Sequence, residues 1–291
     1  MDYLLHVATI ILLYAGLVAS LNLLIGHASI LSFAHASFYG IGAYVTAMLT
    51  VYAGWDWLPA LAAAVIATAA IAFLIGVPTL RLGGDYFILA LFGFQLIVVD
   101  VILNLDDVTN GPFGIRGIPR PSVGDYGLAS GWPFLIGTAV TTGGVFLIVR
   151  RIVTSPLGGK LHAIRDDETV AAALGINVAR TKTMIFTVAA ALAAVIGGMT
   201  AFYFRFVEAN AFNSEVMILL LAMAFVGGTR SLWGAVAGPA ILVLFPELFR
   251  FIGPVGVDLA KVQQGLYGLL LVLLMLFRPQ GLISPHERDS Q

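Results

Sequence analysis

Residues 155–177 read SPLGGKLHAIRDDETVAAALGIN, a long polar segment in a chain whose remaining composition is that of a membrane protein. Ser155 followed by Pro156 is typical of an N-cap with proline at the first helical position, where the missing N–H costs nothing. Asp166 or Asp167 is expected to cap a second short helix in the same way. The segment therefore predicts two short helices held outside the bilayer.

The second of these helices carries a face of very small side chains. Ala171, Ala172 and Ala173 are good helix formers, and Gly175 stands where a left-handed residue commonly ends a helix. Small side chains let the backbone of another protein approach closely, so we interpret this face as a docking surface. The alternative is a solvated loop between two membrane helices, which is what most charged loops are.

The composition of the whole chain indicates an all-α polytopic membrane protein. Of its 291 residues, 59% are hydrophobic and 11% are charged, whereas soluble domains carry roughly 25% charged residues. One transmembrane domain spanning 1–291, with about 8–10 membrane helices, accounts for this length. The net charge of −1 gives no reason to expect a nucleic-acid partner, and the lack of cysteine excludes disulfides and cysteine-ligated metals.

The apolar segments and the turn signals between them predict the order of the helices. Residues 106–131 contain Asn110-Gly111 and two prolines around Arg120, so this stretch is expected to be an ordered loop outside the membrane. The predicted helices span residues 3–25, 34–52, 57–79, 86–105, 132–149, 181–204, 214–227, 235–250 and 262–277.

The basic residues predict the orientation in the membrane, because cytoplasmic loops are enriched in lysine and arginine. With residues 155–177 in the cytoplasm and 106–131 outside, ten basic residues are cytoplasmic and five are external. The ten are Arg81, Arg150, Arg151, Lys160, Arg165, Arg180, Lys182, Arg230, Arg278 and Arg288; the five are Arg116, Arg120, Arg205, Arg250 and Lys261. This bias places the N-terminus outside and the C-terminus inside, unless a re-entrant element changes the number of crossings.

Two glycine-rich stretches interrupt the apolar pattern, one early and one late. Residues 26–42, GHASILSFAHASFYGIG, are too polar for a helix facing lipid, and we interpret them as a broken or re-entrant element buried in the bundle. The alternative is a tightly packed small-residue helix face. Residues 227–238 are similarly rich in glycine, and paired interruptions of this kind occur in internally repeated transporters.

The sequence carries no recognisable catalytic or nucleotide-binding motif. HExxH and GxSxG are both absent, and Gly159-Lys160 lacks the flanking residues of a phosphate-binding loop, so the chain is not expected to hydrolyse ATP. His27 and His35 lie in the irregular early stretch, where they relay protons, contact substrate or are satisfied by a carbonyl within the bundle. Asp100, in the outer part of the fourth predicted helix, is a candidate functional residue because carboxylates inside a membrane are costly and usually serve a function. The alternative is that it reaches the interface or pairs within the bundle.

Five blocks of the sequence, in order, resemble the permeases of branched-chain amino-acid ABC importers, and specifically their LivM-type members. Residues 155–177 resemble the cytoplasmic coupling segment of such permeases, which we call the coupling segment from here on. The other blocks are LNLLIGHASILSFAHASFYGIGAYVTAML, GGDYFILALFGFQLIVVDVILNLDDVTNGPFGIRGIPRP, GGTRSLWGAVAGPAILVLFPEL and GLLLVLLMLFRPQGL. The chain departs from the family pattern at Val170, where alanine is common, and at Ala172, where an acidic residue is common.

The resemblance implies a permease subunit without a nucleotide site of its own, in a bacterial inner membrane. Its implied partners are a homologous second permease chain, two cytoplasmic ATPase subunits that hold ATP and Mg, an extracytoplasmic substrate-binding protein and membrane lipid. The residues implied in ATPase coupling are Gly158, Glu168, Ala171, Ala173, Leu174 and Gly175.

The substrate pathway is expected to run between this chain and its partner, since few ionisable residues lie in the apolar segments. Its candidate residues are Phe33, His35, Phe38, Tyr39 and Asp100. Urea or a short amide is the alternative substrate. A secondary transporter or channel working alone, or an intramembrane enzyme, are the alternative classes.

Overall fold

The computed structural model describes residues 2–82, 84–123, 126–127 and 131–252. Its helices are α1 (Asp2–Ala28), α2 (His35–Val51), α3 (Trp57–Thr79), α4 (Asp85–Asn104), α5 (Asp106–Thr109), α6 (Trp132–Val153), α7 (Pro156–Asp166), α8 (Glu168–Ala173), α9 (Val178–Phe204), α10 (Ser214–Gly227) and α11 (Gly234–Ile252). Four two-residue strands, β1 (Ile115–Arg116), β2 (Ser122–Val123), β3 (Tyr126–Gly127) and β4 (Phe206–Val207), complete it. The predicted all-α class is confirmed.

The helix boundaries follow the apolar segments closely. Eight of the nine predicted helices are present, with ends that differ by four residues at most, and the ninth, 262–277, lies outside the described residues. Within the described part, six helical segments are long and apolar enough to cross a membrane. They are Tyr3–Ala28, Trp57–Thr79, Asp85–Asn104, Trp132–Val153, Val178–Phe204 and Ala209–Gly227. The chain is therefore a multi-pass membrane protein.

Helix α9 forms the centre of the bundle. In its most apolar stretch 78% of the residues are buried, against 61% for α1 and 28% for each of α3, α4 and α6. Helices α1, α2 and α3 all pack against α9. Helices α3, α4 and α6, which are mostly exposed, therefore present apolar surface away from the chain, as a lipid-facing or partner-facing helix does.

Glycines allow α2 and α9 to cross at very short range. A Cβ on Gly197 would overlap the carbonyl oxygen of Tyr39, and a Cβ on Gly42 would overlap the backbone of Ala194. Small residues at such a crossing let the two backbones touch, which is how membrane helices pack without a hydrophobic driving force. The small-residue packing considered as an alternative for residues 26–42 is thus present in its second half.

The two predicted extramembrane segments lie at opposite ends of the bundle. Helix α9 begins just after the coupling segment and ends at Phe204, where β4 pairs antiparallel with β1. The 106–131 loop is ordered where it is described, with Ile115 opposite Val207 in this small sheet. The coupling segment and the loop are therefore separated by the full length of α9, about 40 Å at 1.5 Å per residue.

The break in the early glycine-rich stretch is narrower than predicted. Helix α1 continues to Ala28 and α2 begins at His35, so only six residues between them are not helical. His35 nevertheless lies beside Ser20, eight residues before the end of α1. The chain therefore turns back by about 12 Å, and α2 starts inside the bundle rather than at its end.

The late glycine-rich stretch is a tight helical hairpin, not an interrupted helix. Helix α10 ends at Gly227 and α11 begins at Gly234. A Cβ on Gly227 would overlap the carbonyl oxygen of Gly234, and one on Gly238 would overlap that of Met223. These glycines allow α10 and α11 to pack closely, and the stretch is the turn between the predicted helices 214–227 and 235–250.

Candidate functional site

The local structure of the coupling segment follows the capping signals in its sequence. The hydroxyl of Ser155 accepts a hydrogen bond from the Leu157 amide at 3.2 Å, which caps α7. The Asp167 carboxylate caps α8 by accepting from the amides of Thr169 and Val170, at 2.7 and 3.0 Å. The Val170 and Thr169 N–H groups lower the pKa of Asp167, because they stabilise its charged form. Of the two caps considered, Asp167 is the one used.

Gly175 ends α8 as predicted. Its φ angle is +85°, a left-handed conformation that glycine adopts without steric cost. The Ile176 amide donates to the Ala171 carbonyl at 3.1 Å, and the Gly175 amide donates to the Ala172 carbonyl at 3.0 Å. This pair of bonds is the Schellman arrangement, which satisfies carbonyls that the helix leaves free.

Two of the residues expected to face an ATPase face this chain instead. Ala171 is only 1% exposed. Gly158 is also buried, and a Cβ there would overlap the carbonyl oxygen of Val153 at the end of α6. An added side chain at Ala171 would therefore first disturb the packing of the segment itself.

The exposed side of α8 is apolar at two positions. Leu174 is 74% exposed and Val170 is 54% exposed, and a spacing of four residues places them on one face. Ala173 and Gly175 are exposed beside them, and Glu168 forms an ion pair with Lys182 of α9. An exposed apolar pair on a polar segment is a common mark of a protein contact, and Val170 is the member that the sequence analysis did not select.

The coupling segment contacts the end of α1 directly. Arg165 of α7 donates from Nη1 to the Gly26 carbonyl oxygen at 3.3 Å. The imidazole rings of His27 and His162 stack with their centroids 5.7 Å apart, and Nδ1 of His27 lies 3.4 Å from Nε2 of His162. The C-terminal end of α1 is thus held by two side chains of α7.

The turn between α10 and α11 also contacts this end of α1. The Asn22 side-chain amide lies 3.5 Å from the Gly228 carbonyl oxygen. A Cβ on Gly26 would overlap the carbonyl oxygen of Thr229, so the backbones touch there. The two glycine-rich stretches therefore meet each other and α7 at one place. We call this place the coupling junction, formed by Asn22, Gly26, His27, His162, Arg165, Gly228 and Thr229.

His35, at the start of α2, is completely buried. Its Nε2 lies 2.8 Å from the Ser20 hydroxyl, which in turn donates to the Leu17 carbonyl at 2.7 Å. Because the hydroxyl proton of Ser20 is directed to Leu17, this arrangement favours Nε2 of His35 as the donor and leaves Nδ1 as an acceptor. Nδ1 is buried and has no hydrogen-bond partner among the described residues.

Gln95 of α4 links the start of α2 to the entry of α10. Its Oε1 accepts from the Ser37 amide at 2.9 Å and from the Ser37 hydroxyl at 2.5 Å. Its Nε2 donates to the Phe212 carbonyl oxygen at 2.5 Å. The Ser37 amide is one of the N–H groups that the first turn of a helix leaves free, so Gln95 acts as a cap supplied by another helix. The side chain is completely buried.

Buried polar side-chain atoms without a hydrogen-bond partner are concentrated around the break between α1 and α2. Among the described residues, four buried side-chain atoms lack a hydrogen-bond partner: Asn22 Oδ1, Ser32 Oγ, His35 Nδ1 and Tyr44 Oη. All four lie between residues 22 and 44. A buried polar atom without a partner costs about 1–3 kcal/mol, so such atoms persist where they serve a ligand, an ion or a structural water.

The five predicted pathway residues are not brought together into one site. Phe38 packs between Phe94 and Phe186, with ring centroids 5.7 and 5.4 Å away, and is a core residue. Phe33 is half-buried and makes an edge contact with Phe92 at 6.1 Å. Both rings are therefore involved in packing against α4 or α9.

Tyr39 and Asp100 point in other directions. Tyr39 packs on Phe212 at 5.1 Å and, with Tyr14 and Thr200, lines a cavity of about 70 Å³ between α1, α2 and α9. This cavity is far smaller than the roughly 300–1,000 Å³ of a typical ligand pocket. The Asp100 side chain is exposed. It lies five residues from Gln95, and therefore about 140° around α4 from the buried face.

The sequence analysis missed Gln95, the residue that holds the centre of the bundle together. Its signal was weak but readable, since an uncharged amide in an otherwise apolar helix needs partners inside the protein. The described residues contain no group of three or more His, Asp or Glu side chains placed to hold a metal ion. The polar chemistry of the core is thus that of uncharged hydrogen-bonding groups.

The described residues thus form a multi-pass helical bundle with a buried, uncharged polar centre and a polar helical segment at one end. The model of one family, the permease component of branched-chain amino acid transport systems, matches residues 3–277. The chain belongs to this family. No solved structure matches the chain.

Individual relatives agree with the family match. The chain is 31% identical to the high-affinity branched-chain amino acid transport permease protein LivM of Salmonella typhimurium, over 95% of this chain and 69% of the relative. It is 24% identical to a protein of Methanocaldococcus jannaschii named as LivM, over 76% of this chain and 67% of the relative. A second protein of that organism, named as the permease LivH, is 24% identical over 48% of this chain and 43% of the relative.

Proposed function

We propose that this chain is the transmembrane permease subunit of an ATP-driven importer for branched-chain amino acids. In this proposal it pairs with a second, homologous permease chain in a bacterial inner membrane. Two cytoplasmic ATPase subunits, which hold ATP and Mg, bind the coupling segment, and an extracytoplasmic binding protein delivers the substrate. The similarity of this chain to both a LivM and a LivH of one organism supports the pairing of two related permeases.

The observation that carries the proposal is the hydrogen bond from Arg165 to the Gly26 carbonyl. It joins the segment that would receive the motion of an ATPase to the end of α1. Only nine residues beyond Gly26, the chain reaches His35 and the start of α2 in the bundle centre. A displacement of α7 is therefore passed through a short break to the place where buried polar atoms are unpaired.

The chemistry of that place suits the ammonium group of an amino acid with an apolar side chain. The ammonium group can donate to the free Nδ1 of His35, which is buried and has no partner among the described residues. The surrounding surface is apolar and aromatic. Since the cavity next to Tyr39 is small, we propose that the substrate passes between this chain and its partner, with the unpaired atoms as the contribution of this chain.

An uptake assay in cells lacking this gene tests the proposal. Uptake of radiolabelled leucine, isoleucine and valine should fall in the deletion strain and return with the wild-type gene, while uptake of urea and acetamide should not change. A loss of urea or acetamide uptake alone would overturn the substrate class. Leucine flux through the purified chain alone in liposomes, without ATP, would overturn the importer and favour a lone transporter.

The apolar pair on α8 provides the test of ATPase coupling. Val170→Glu and Leu174→Glu should each abolish uptake while the chain remains inserted, because a charge would be buried in the docking contact. Ala172→Glu is the matched control, since it adds the same charge to the same helix at an exposed position about 160° or more away from both residues. Equal loss of uptake in all three variants would contradict a docking surface at Val170 and Leu174.

A further inference from the structure

A groove runs along the outer surface of the bundle between α3 and α9, at the end nearest the coupling segment. Its volume is about 540 Å³. On the α3 side it is formed by Phe73, Val77 and, just beyond the end of the helix, Arg81, which are four residues apart. On the α9 side it is formed by two neighbouring stripes of the same spacing: Arg180, Met184 and Val188, and beside them Ala179, Thr183 and Thr187.

The α3 stripe and the Arg180 stripe of α9 have side chains of the same kinds in the same order. Each begins with an arginine at the end of the bundle that carries the coupling segment and continues with apolar side chains towards its middle. Phe73 and Met184 are both 53% exposed. From arginine to the far end, each stripe spans eight residues, or about 12 Å, which is most of the roughly 15 Å half-thickness of the hydrocarbon core.

The two arginines are available to an outside group. Both side chains are exposed. In the part of the chain that the structure describes, neither guanidinium takes part in an ion pair, whereas the neighbouring Lys182 is paired with Glu168. Two unpaired guanidinium groups at the head of an apolar groove are complementary to an anion attached to a hydrocarbon chain.

We propose that this groove is a binding site for an anionic phospholipid of the cytoplasmic leaflet. The phosphate of the lipid is held between Arg81 and Arg180, and one acyl chain lies along the apolar stripes against Phe73 and Met184. Arg180 is the third residue of α9 and follows directly on the coupling segment. The bound lipid thus fixes the start of α9 beside the end of α3.

Native mass spectrometry of the purified full chain with phosphatidylglycerol or phosphatidylcholine tests the proposal. The wild-type chain should retain phosphatidylglycerol in preference to phosphatidylcholine. The double variant Arg81→Gln/Arg180→Gln should bind phosphatidylglycerol about 30-fold more weakly, from roughly a factor of five for each basic residue at a membrane surface. Arg150→Gln/Arg151→Gln removes two exposed charges from the last turn of α6, at the same end of the bundle as the groove. It is the matched control and should retain the lipid.

Two further measurements test whether the ligand is a whole lipid and whether it lies in the groove. Val77→Trp, which keeps both arginines but narrows the groove, should also lose the lipid, and soluble glycerol 3-phosphate should not displace it. Equal retention in the two arginine double variants would overturn the proposal, as would displacement by glycerol 3-phosphate. Loss of the lipid when the chain is assembled with its partner subunits would overturn it too, because a protein would then be the occupant of the groove.

Discussion

Arg165 and Gly26 are 139 residues apart in the sequence, yet the guanidinium of one donates to the carbonyl of the other. The interaction is close because α7 folds back under the bundle and α1 extends to meet it. Gly26 has no side chain that could hold the arginine away, and its backbone also touches the turn at Thr229. Helix α7 and the turn between α10 and α11 thus both contact Gly26 of α1. The first prediction concerns this contact.

Replacing Arg165 should separate ATP hydrolysis from transport. In a reconstituted importer, Arg165→Gln should reduce leucine uptake about tenfold or more while ATP hydrolysis continues, because the hydrogen bond that moves α1 is lost. A hydrogen bond to a charged group is worth about 1.5–3 kcal/mol, which sets this scale. Lys160→Gln, an exposed change on the same helix, is the control and should behave as wild type. Parallel loss of hydrolysis and uptake in Arg165→Gln would argue against a transmitting role.

Gln95 should be essential for stability. Gln95→Leu leaves the Ser37 amide and the Phe212 carbonyl buried without partners, which should cost about 2–6 kcal/mol at roughly 1–3 kcal/mol for each group. The thermal unfolding midpoint in detergent is the measurement. Leu91→Met, a volume-conserving change at a buried position of the same helix, should cost less than about 1.5 kcal/mol. Similar midpoints for the two variants would show that the Gln95 bonds do not hold the centre together.

The crossing of α2 and α9 should not accept even one methyl group. Gly197→Ala should prevent folding or lower the unfolding midpoint strongly, since the new Cβ would overlap the Tyr39 carbonyl. Gly143→Ala on α6 is the counterpart, because no atom lies within 4 Å of its Cβ position. That change should be neutral or stabilising by about 0.5–1 kcal/mol, as alanine favours a helix over glycine. The prediction fails if both alanine variants unfold at the same temperature.

His35 has two ring nitrogens in different situations, and substitutions can separate them. His35→Gln keeps a donor able to reach the Ser20 hydroxyl but removes the Nδ1 acceptor, so it should raise the KM for leucine with little change in stability. His35→Leu removes both groups and should also lower the unfolding midpoint, because Ser20 loses a partner. An unchanged KM in His35→Gln would exclude Nδ1 as a substrate contact.

The absence of cysteine allows the orientation to be measured directly. In intact cells, a membrane-impermeant thiol reagent should label Asp107→Cys, an exposed position on the short helix α5, and should reach Lys160→Cys only after the cells are opened. The bias of basic residues towards the coupling segment is the reason for this expectation. Labelling in the reverse order would invert the topology.

The helices and the caps of the coupling segment could be predicted because their causes are local. Runs of apolar residues set the spans, and Ser155 and Gly175 act through their own backbone geometry. The burial of Ala171 and the role of Gln95 could not be predicted in this way, because both depend on which distant element lies opposite. Asp100 was selected for its charge, but the direction of its side chain is set by the rotation of α4, which a largely apolar helix leaves ambiguous.

Helix α9 starts beside Glu168 at one end of the molecule and finishes at the small sheet that joins Phe206 to Arg116 at the other. Its close crossing with α2 leaves it no room to bend independently of the bundle. We expect such a helix to link its two ends mechanically, so that a binding event at one end changes the strain at the other. Interface variants at the two ends should therefore show non-additive effects, even though some 40 Å lie between them.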